Sequence, residues 1–166
     1  MVTFEQLDQI EAFDGLDDER LTAIKSICEK IKFNRGDKLF TEGDPAKHVW
    51  FVMDGKVELR FELPDGRPTS SDHTIETHDA GDEPRKKILG WSCFVPPYKM
   101  RLSAYCTTRT CEIIRIPSDK LIALFEKDPL LGYRFLNYLV KVVGFRFQQF
   151  QEEIAKDKGA CLLHSW

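Results

Sequence analysis

The residues that could bind a metal or act as nucleophiles are histidines, carboxylates and thiols, and they fall into two groups. The first is an acidic stretch in which His73 and His78 lie among Asp72, Glu76, Asp79, Asp82 and Glu83. Its spacing matches no helical or tetrahedral metal signature, so we predict no metal site there. The second group is three thiols that could serve as soft ligands or thiol sensors if the fold gathers them, although buried inert cysteines are commoner: Cys93, Cys106 and Cys111.

The sequence contains no recognisable catalytic motif. It has no G-x-S-x-G, no P-loop and no paired Cys/His constellation, so we predict no catalytic residues and no enzyme. The formal net charge of −3 and the pI near 5.8 argue against nucleic acid as the main partner. No apolar window is long enough to cross a membrane, and no signal peptide is recognisable at the N-terminus. The five cysteines show no C-x-x-C pairing, which indicates reduced thiols and a cytoplasmic protein.

Apolar periodicity divides the chain into four regions. Residues 1–32 read as helices, because Leu21, Ile24, Cys28 and Ile31 recur at intervals of three and four. Residues 33–117 carry short β-prone runs between Gly and Asp-Gly signals, which are typical of an antiparallel sandwich or barrel. Within this region Asp54-Gly55 predicts a hairpin, and the runs 101–106 and 111–116 predict a last strand pair. Residues 118–157 return to helix, and 158–166 form a tail.

The last helix carries apolar residues on two faces. One set alternates four and three apart, as in the seam of a coiled coil, and we predict that it forms a homodimer interface: Leu136, Val140, Val143, Phe147, Phe150 and Ile154. The second set lies on a neighbouring face and predicts packing on the β region: Phe135, Leu139, Val142 and Phe145. The alternative is one wide stripe that packs entirely within the chain.

Glycines separate the first β-prone runs at Gly36, Gly43 and Gly55. The full pattern extends from Phe33 to Val57 and includes Glu42-Gly43-Asp44-Pro45-Ala46 and Trp50-Phe51-Val52. With the order of helices, β-roll and long helix, it resembles the cyclic nucleotide-binding domain family, the sensor half of catabolite-activator-type bacterial regulators. The resemblance extends from about residue 13 to residue 153. It implies a mainly β fold, a cupin-like double-stranded β-helix or jelly roll, with N-terminal helices and a long C-terminal helix.

The resemblance also implies where a ligand would bind. In that family a glycine-led turn opens a short helix that receives a cyclic phosphate, and a later arginine neutralises the charge. Gly90 and Arg101 stand at these two positions, and Pro96-Pro97 would end the short helix. We therefore expect a ligand, cAMP, cGMP or another anionic molecule, to contact residues from this segment: Gly90, Trp91, Ser92, Cys93, Tyr98, Lys99, Arg101, Leu102 and Ser103.

Two positions depart from the family pattern. Trp91 stands where the family has a ribose-binding glutamate, and Leu102 stands where it has a small polar residue. An indole donates one hydrogen bond and cannot accept two from a ribose. The Gly-Trp-Ser and Pro-Pro-Tyr motifs resemble a divergent branch of this family. The pocket of such a branch could hold a different anion, a more apolar ligand or nothing.

The sequence is compatible with three candidate functions. The leading one is a ligand-sensing regulatory module that signals through a dimer helix to a separate partner protein, with no direct DNA binding and no membrane contact. The second is an interaction or scaffold domain that has lost its ligand. The third rests on the likeness of the β-roll to cupin metalloenzymes. Because those enzymes need a His-x-His pair that this sequence lacks, the third function is disfavoured.

Overall fold

The structure is a computed structural model that describes residues 1–62, 75–77 and 87–163. Short 3₁₀ turns occupy Glu11–Phe13 and Trp91–Phe94. The regular elements are, in chain order, α1 (Phe4–Asp8), α2 (Asp18–Ile27), β1 (Glu29–Asn34), β2 (Lys38–Phe40), β3 (His48–Asp54), β4 (Val57–Arg60), β5 (Ile75–Thr77), β6 (Ile88–Leu89), β7 (Ser103–Cys106), β8 (Thr110–Pro117), α3 (Ser118–Lys127) and α4 (Pro129–Leu163).

The N-terminal helices end earlier than their apolar spacing indicates. Asp17 caps α2 by accepting a hydrogen bond from the backbone N–H of Arg20 at 2.9 Å. At Cys28 the backbone turns extended, and Ile31 lies in β1, so the boundary predicted at residue 32 falls inside this strand. The reason is tertiary, because β1 pairs along its whole length with β8, and this pairing overrides the local helical spacing.

The eight strands form two four-stranded antiparallel sheets. Their orders are β1-β8-β3-β6 and β2-β7-β4-β5, which confirms the predicted jelly-roll class. The predicted hairpin at Asp54-Gly55 is wrong, since β3 and β4 belong to different sheets. The predicted last strand pair is wrong for the same reason, because β7 and β8 lie on opposite sheets. Both turns carry the chain from one sheet to the other.

These two crossing turns pack against each other. Gly55 has φ +81°, and a Cβ there would lie 2.4 Å from the carbonyl oxygen of Thr110, so the contact requires glycine. The backbone N–H of Lys56 donates to Thr108 Oγ1 at 3.0 Å, and that of Thr107 donates to the Lys56 carbonyl at 3.0 Å. The turns therefore close one end of the β-roll.

The sheet β1-β8-β3-β6 separates two apolar cores. Alternate residues of β3 face opposite sides, so Trp50 and Val52 pack inside the roll while Val49 and Phe51 pack against the helices. We call these the inner core and the helix-side core. The helix-side core includes Phe135 from α4, whose ring centroid lies 6.1 Å from that of Phe13.

The two C-terminal helices cover the outer face of this sheet. The predicted second stripe of α4 is confirmed in that Phe135, Leu139 and Val142 are buried in the helix-side core. α4 continues to Leu163, so the segment predicted as a tail, 158–166, is helical over its described part. Apolar Cys161, Leu162 and Leu163 have ordinary or good helix propensities, and no proline interrupts the helix.

Candidate functional site

The candidate site begins at Gly90, directly after β6. Gly90 has φ +80° and starts the 3₁₀ turn Trp91–Phe94, as the resemblance implies for a glycine-led short helix. A Cβ at this position would lie 2.4 Å from the carbonyl oxygen of His48 and 2.9 Å from Trp50 Cδ1. Glycine is therefore required twice, for its backbone angle and for the close approach of β3.

A cavity of about 140 Å³ opens beside this turn. Five residues from the sequence-predicted set line it, namely Gly90, Trp91, Ser92, Arg101 and Leu102. The remaining described lining residues come from β2, β4, β6, the segment before Arg101 and α4: Phe40, Leu59, Leu89, Met100 and Arg146. The cavity thus lies at the mouth of the inner core, between the β-roll and α4.

Two arginines are among the residues that line this mostly apolar cavity. Arg101 is exposed at the rim. Arg146 is partly buried on α4, and its Nη2 donates to the carbonyl oxygen of Ile88 at 2.6 Å. Burial lowers the pKa of Arg146 to about 10, so the group stays cationic at neutral pH. None of the described lining side chains is a carboxylate, and their polar groups are chiefly hydrogen-bond donors.

The other four predicted ligand residues do not line this cavity. Cys93 is buried in the helix-side core, because the 3₁₀ turn directs it away from the roll. Tyr98 and Lys99 are exposed, in a segment whose backbone pairs with the loop at Pro45 and Ala46. Ser103 is fully buried and belongs to a separate polar cluster on β7.

That cluster surrounds the carboxylate of Glu62, and sequence reasoning did not find it. Glu62 Oε1 accepts hydrogen bonds from Lys38 Nζ at 2.6 Å, Ser103 Oγ at 2.6 Å and the Tyr105 hydroxyl at 2.7 Å. The Lys38 ammonium, followed by the two hydroxyl donors, lowers the pKa of Glu62 to about 2. Every member of this group has a partner, which marks it as a structural network.

The three thiols considered as soft ligands do not gather at one place. Cys106 and Cys111 lie in the inner core with their Sγ atoms 2.6 Å apart, whereas Cys93 lies on the other side of the sheet. Burial raises the pKa of Cys106 and of Cys93 to about 12, so neither is a ready thiolate. Over residues 1–62, 75–77 and 87–163 no group of three His, Cys, Asp or Glu side chains could hold a metal ion. The stretch around His73 and His78 lies outside the described residues, apart from the backbone of Glu76 in β5.

The predicted seam of α4 lies on the helix face turned away from the β-roll. Leu136 is 43% exposed, Val140 70% and Phe147 57%, while Val143 is half-buried. Ile154 is also exposed, and the side chain of Phe150 is outside the described part of the chain. The helix therefore buries one apolar face within the chain and leaves a second one uncovered in the single chain.

A family model, a sequence relative and solved structures all point to one protein family. The family model described as the cyclic nucleotide-binding domain matches residues 30–128. A cyclic nucleotide-gated ion channel of Arabidopsis thaliana is 28% identical over 146 residues, and the match spans 83% of this chain but only 18% of the channel. Within the described residues, no helix has the length and apolarity needed to span a membrane.

Two solved structures show the same fold. A cyclic nucleotide-binding domain from Methylobacillus flagellatus superposes with a TM-score of 0.72 at 19% identity, covering 93% of this chain and 83% of that one. The catabolite activator protein of Thermus thermophilus superposes with a TM-score of 0.62 at 20% identity, covering 87% of this chain and 62% of that one.

Proposed function

This chain belongs to the cyclic nucleotide-binding domain family, and from that premise we propose that it is a ligand-sensing regulatory module with no catalytic role. The module would bind a nucleotide-like or other anionic small molecule in the cavity at Gly90–Ser92 and signal to a separate partner protein. The observation that carries this proposal is that two arginines, Arg101 from the β-roll and Arg146 from α4, are among the residues that line one mostly apolar cavity. Guanidinium is well suited to bidentate capture of phosphate or carboxylate. We expect the module to work in the cytoplasm.

The second part of the proposal is a homodimer through α4. Its support is a row of apolar side chains on α4 that the single chain leaves uncovered, namely Leu136, Val140 and Phe147. They lie at heptad spacing, and each is between about two-fifths and three-quarters exposed. Apolar side chains in such a row gain roughly 25 cal/mol for each Å² that a partner helix removes from water. A second copy of α4 presents the same row and covers it by twofold symmetry.

The alternative function is an interaction domain without a ligand, and one observation favours it. Trp91 is half-buried against the cavity wall and also packs on the helix-side core, so its indole already occupies space at the site. The remaining volume of about 140 Å³ is below the ~300 Å³ lower bound of typical small-molecule sites. A domain of this kind would signal only through its protein contacts.

Thermal unfolding with and without ligands separates the two functions. The purified protein is heated with cyclic AMP, cyclic GMP and a panel of phosphate-bearing metabolites, beside the variants Arg101→Gln and Arg109→Gln. Arg109 is exposed and does not line the cavity, so it controls for loss of one positive charge. A ligand at a hundred times its Kd stabilises the fold by about 2.7 kcal/mol, which raises Tm by about 5 to 10 °C for a chain of this size.

We expect at least one compound to raise Tm in the wild type and in Arg109→Gln but not in Arg101→Gln. A shift of equal size in all three proteins would place the ligand elsewhere. No shift with any compound would favour the ligand-free interaction domain.

A further inference from the structure

Two cysteines of the inner core are in direct contact. Cys106 is the last residue of β7 and Cys111 the second of β8, and their Sγ atoms lie 2.6 Å apart. A disulfide S–S bond is about 2.05 Å long, so the two sulfurs need to approach by only about 0.5 Å to form one. Both residues are free thiols and are buried, with exposed fractions of 1% and 0%.

Hydrogen bonds hold the two sulfurs at this spacing. Cys111 Sγ donates to the carbonyl oxygen of Lys56 at 3.0 Å, and Cys106 Sγ donates to that of Thr108 at 3.4 Å. The Lys56 carbonyl also accepts from the backbone N–H of Thr107 at 3.0 Å and from its hydroxyl at 3.2 Å. The loss of the Cys111 proton would therefore leave this carbonyl hydrogen-bonded.

The pair lies beneath the two crossing turns at the closed end of the β-roll. Residues 107–109 join β7 to β8 and are half-buried or exposed. The other turn contacts the pair through Gly55, where a Cβ would lie 3.0 Å from Cys111 Cα. Because Cys106 and Cys111 belong to different sheets, a bond between their sulfurs would join the two sheets covalently.

We propose that Cys106 and Cys111 form a reversible intrachain disulfide when the protein is exposed to a peroxide, and that this bond stabilises the closed end of the β-roll. Neither residue lines the cavity at Gly90, so the inference goes beyond the proposed sensor function and does not depend on it.

The reaction takes two steps and balances with one hydrogen peroxide. In the first step one sulfur attacks the peroxide, the O–O bond breaks, and a sulfenic acid and one water form. In the second step the neighbouring sulfur attacks the sulfenic sulfur, the S–S bond forms, and a second water leaves. The two thiols together lose two protons and two electrons, and the peroxide takes up both.

Burial limits the rate of this reaction. It raises the pKa of Cys106 to about 12, with a smaller contribution from hydrogen bonding to Cys111, so few thiolates are present at neutral pH. We therefore expect oxidation over minutes to hours rather than the rapid response of an exposed thiol of low pKa. The same burial protects the disulfide, which dithiothreitol should reduce more slowly in the folded protein than in urea.

Peptide mapping tests the bond in the wild type. The folded protein is incubated with hydrogen peroxide, the remaining thiols are alkylated in denaturant, and the chain is digested with trypsin. Cleavage after Arg101, Arg109 and Arg115 places the two cysteines on separate peptides, 102–109 and 110–115. We expect most molecules to yield these two peptides joined, and we expect dithiothreitol added before alkylation to separate them.

Thermal unfolding measures the effect of the bond on the fold. Peroxide should raise the wild-type Tm by about 2 to 5 °C, because the disulfide closes a short loop and restricts the unfolded chain. Cys106→Ser should lose this shift. Cys28→Ser removes a half-buried thiol outside the pair and should retain all of it. The Tm of each reduced variant shows whether it is folded.

The outcomes that would overturn the inference are distinct. Recovery of the two peptides separately, each alkylated, after peroxide treatment would refute the disulfide. Joined peptides with an unchanged Tm would refute its stabilising effect, and a Tm shift that persists in folded Cys106→Ser would assign that effect to another oxidised residue. The ligand cavity is tested separately, by the thermal shifts with cyclic nucleotides in reduced protein.

Discussion

Replacing Glu62 by glutamine tests whether the polar cluster on β7 stabilises the β-roll. The carboxylate accepts three hydrogen bonds through one oxygen, from Lys38, Ser103 and Tyr105, and its side chain is only 15% exposed. These donors lower its pKa from 4.5 to about 2. At about 1.4 kcal/mol per pH unit, that change corresponds to roughly 3 kcal/mol in favour of the ionised folded state. Solvent screening at the edge of the sheet reduces this value, so we expect Glu62→Gln to cost about 1 to 2 kcal/mol at pH 7.

The same pKa sets the pH dependence of this contribution. Because the folded pKa is lower than the unfolded one, the stabilisation is fully present above pH 4.5 and is lost as the pH falls toward 2. The difference in unfolding free energy between wild type and Glu62→Gln should therefore be constant from pH 7 to about 5.5 and should narrow at pH 4 and pH 3.

Urea unfolding followed by tryptophan fluorescence at these four pH values measures that difference. Glu58→Gln is the matched control, because Glu58 lies on β4 and forms an ion pair with Arg60 of the same strand. For this substitution we expect a cost below about 1 kcal/mol. A difference below about 0.5 kcal/mol for Glu62→Gln at pH 7 would refute the reasoning. So would a difference that stays constant down to pH 3.

Two further substitutions test the site turn and the seam. Gly90→Ala should lower the free energy of unfolding by more than about 2 kcal/mol in urea, because its Cβ would lie 2.4 Å from the His48 carbonyl oxygen. Gly36 has a similar φ, but a Cβ there would have no atom within 4 Å, so Gly36→Ala should cost about 1 kcal/mol. Equal costs would contradict the close approach at Gly90. Val140→Glu places a charge in the exposed seam and should convert a dimer to a monomer in sedimentation equilibrium, while Gln148→Glu, on α4 outside the heptad positions, should leave the dimer intact. A wild type that sediments as a monomer would refute the dimer.

Local patterns in the sequence predicted the features that depend on local physics. Gly90 and Gly55 have positive φ where turns were expected, and the stripe containing Phe135 and Leu139 packs on the β-roll. Strand partners were wrong, because an Asp-Gly turn fixes a change of direction but does not determine whether the next strand joins the same sheet. In this chain Asp54-Gly55 leads from one sheet to the other.

Contacts between distant segments explain what the sequence could not predict at the site. Ser103 was expected beside the ligand because it belongs to the segment that resembles the family's ligand-binding segment, but a residue on β7 faces either the inner core or the outer surface according to strand alternation. Ser103 faces the side of Glu62, a residue 41 positions away. In the same way Arg146 meets the Ile88 carbonyl across 58 residues, a contact that no local pattern contains.

The position of β6 explains how a small site could control a long helix. β6 has only two residues, of which Ile88 is buried in the helix-side core and Leu89 in the inner core, and both pair with β3. Since β3 is also fixed by its long pairing with β8, a ligand that acts at Gly90 cannot easily displace the sheet. The Ile88 carbonyl also accepts a hydrogen bond from Arg146, so β6 is linked directly to α4. We therefore expect ligand binding to alter the position of α4 and its seam while the β-roll keeps its shape, which is a shift between two helix placements rather than a change of fold.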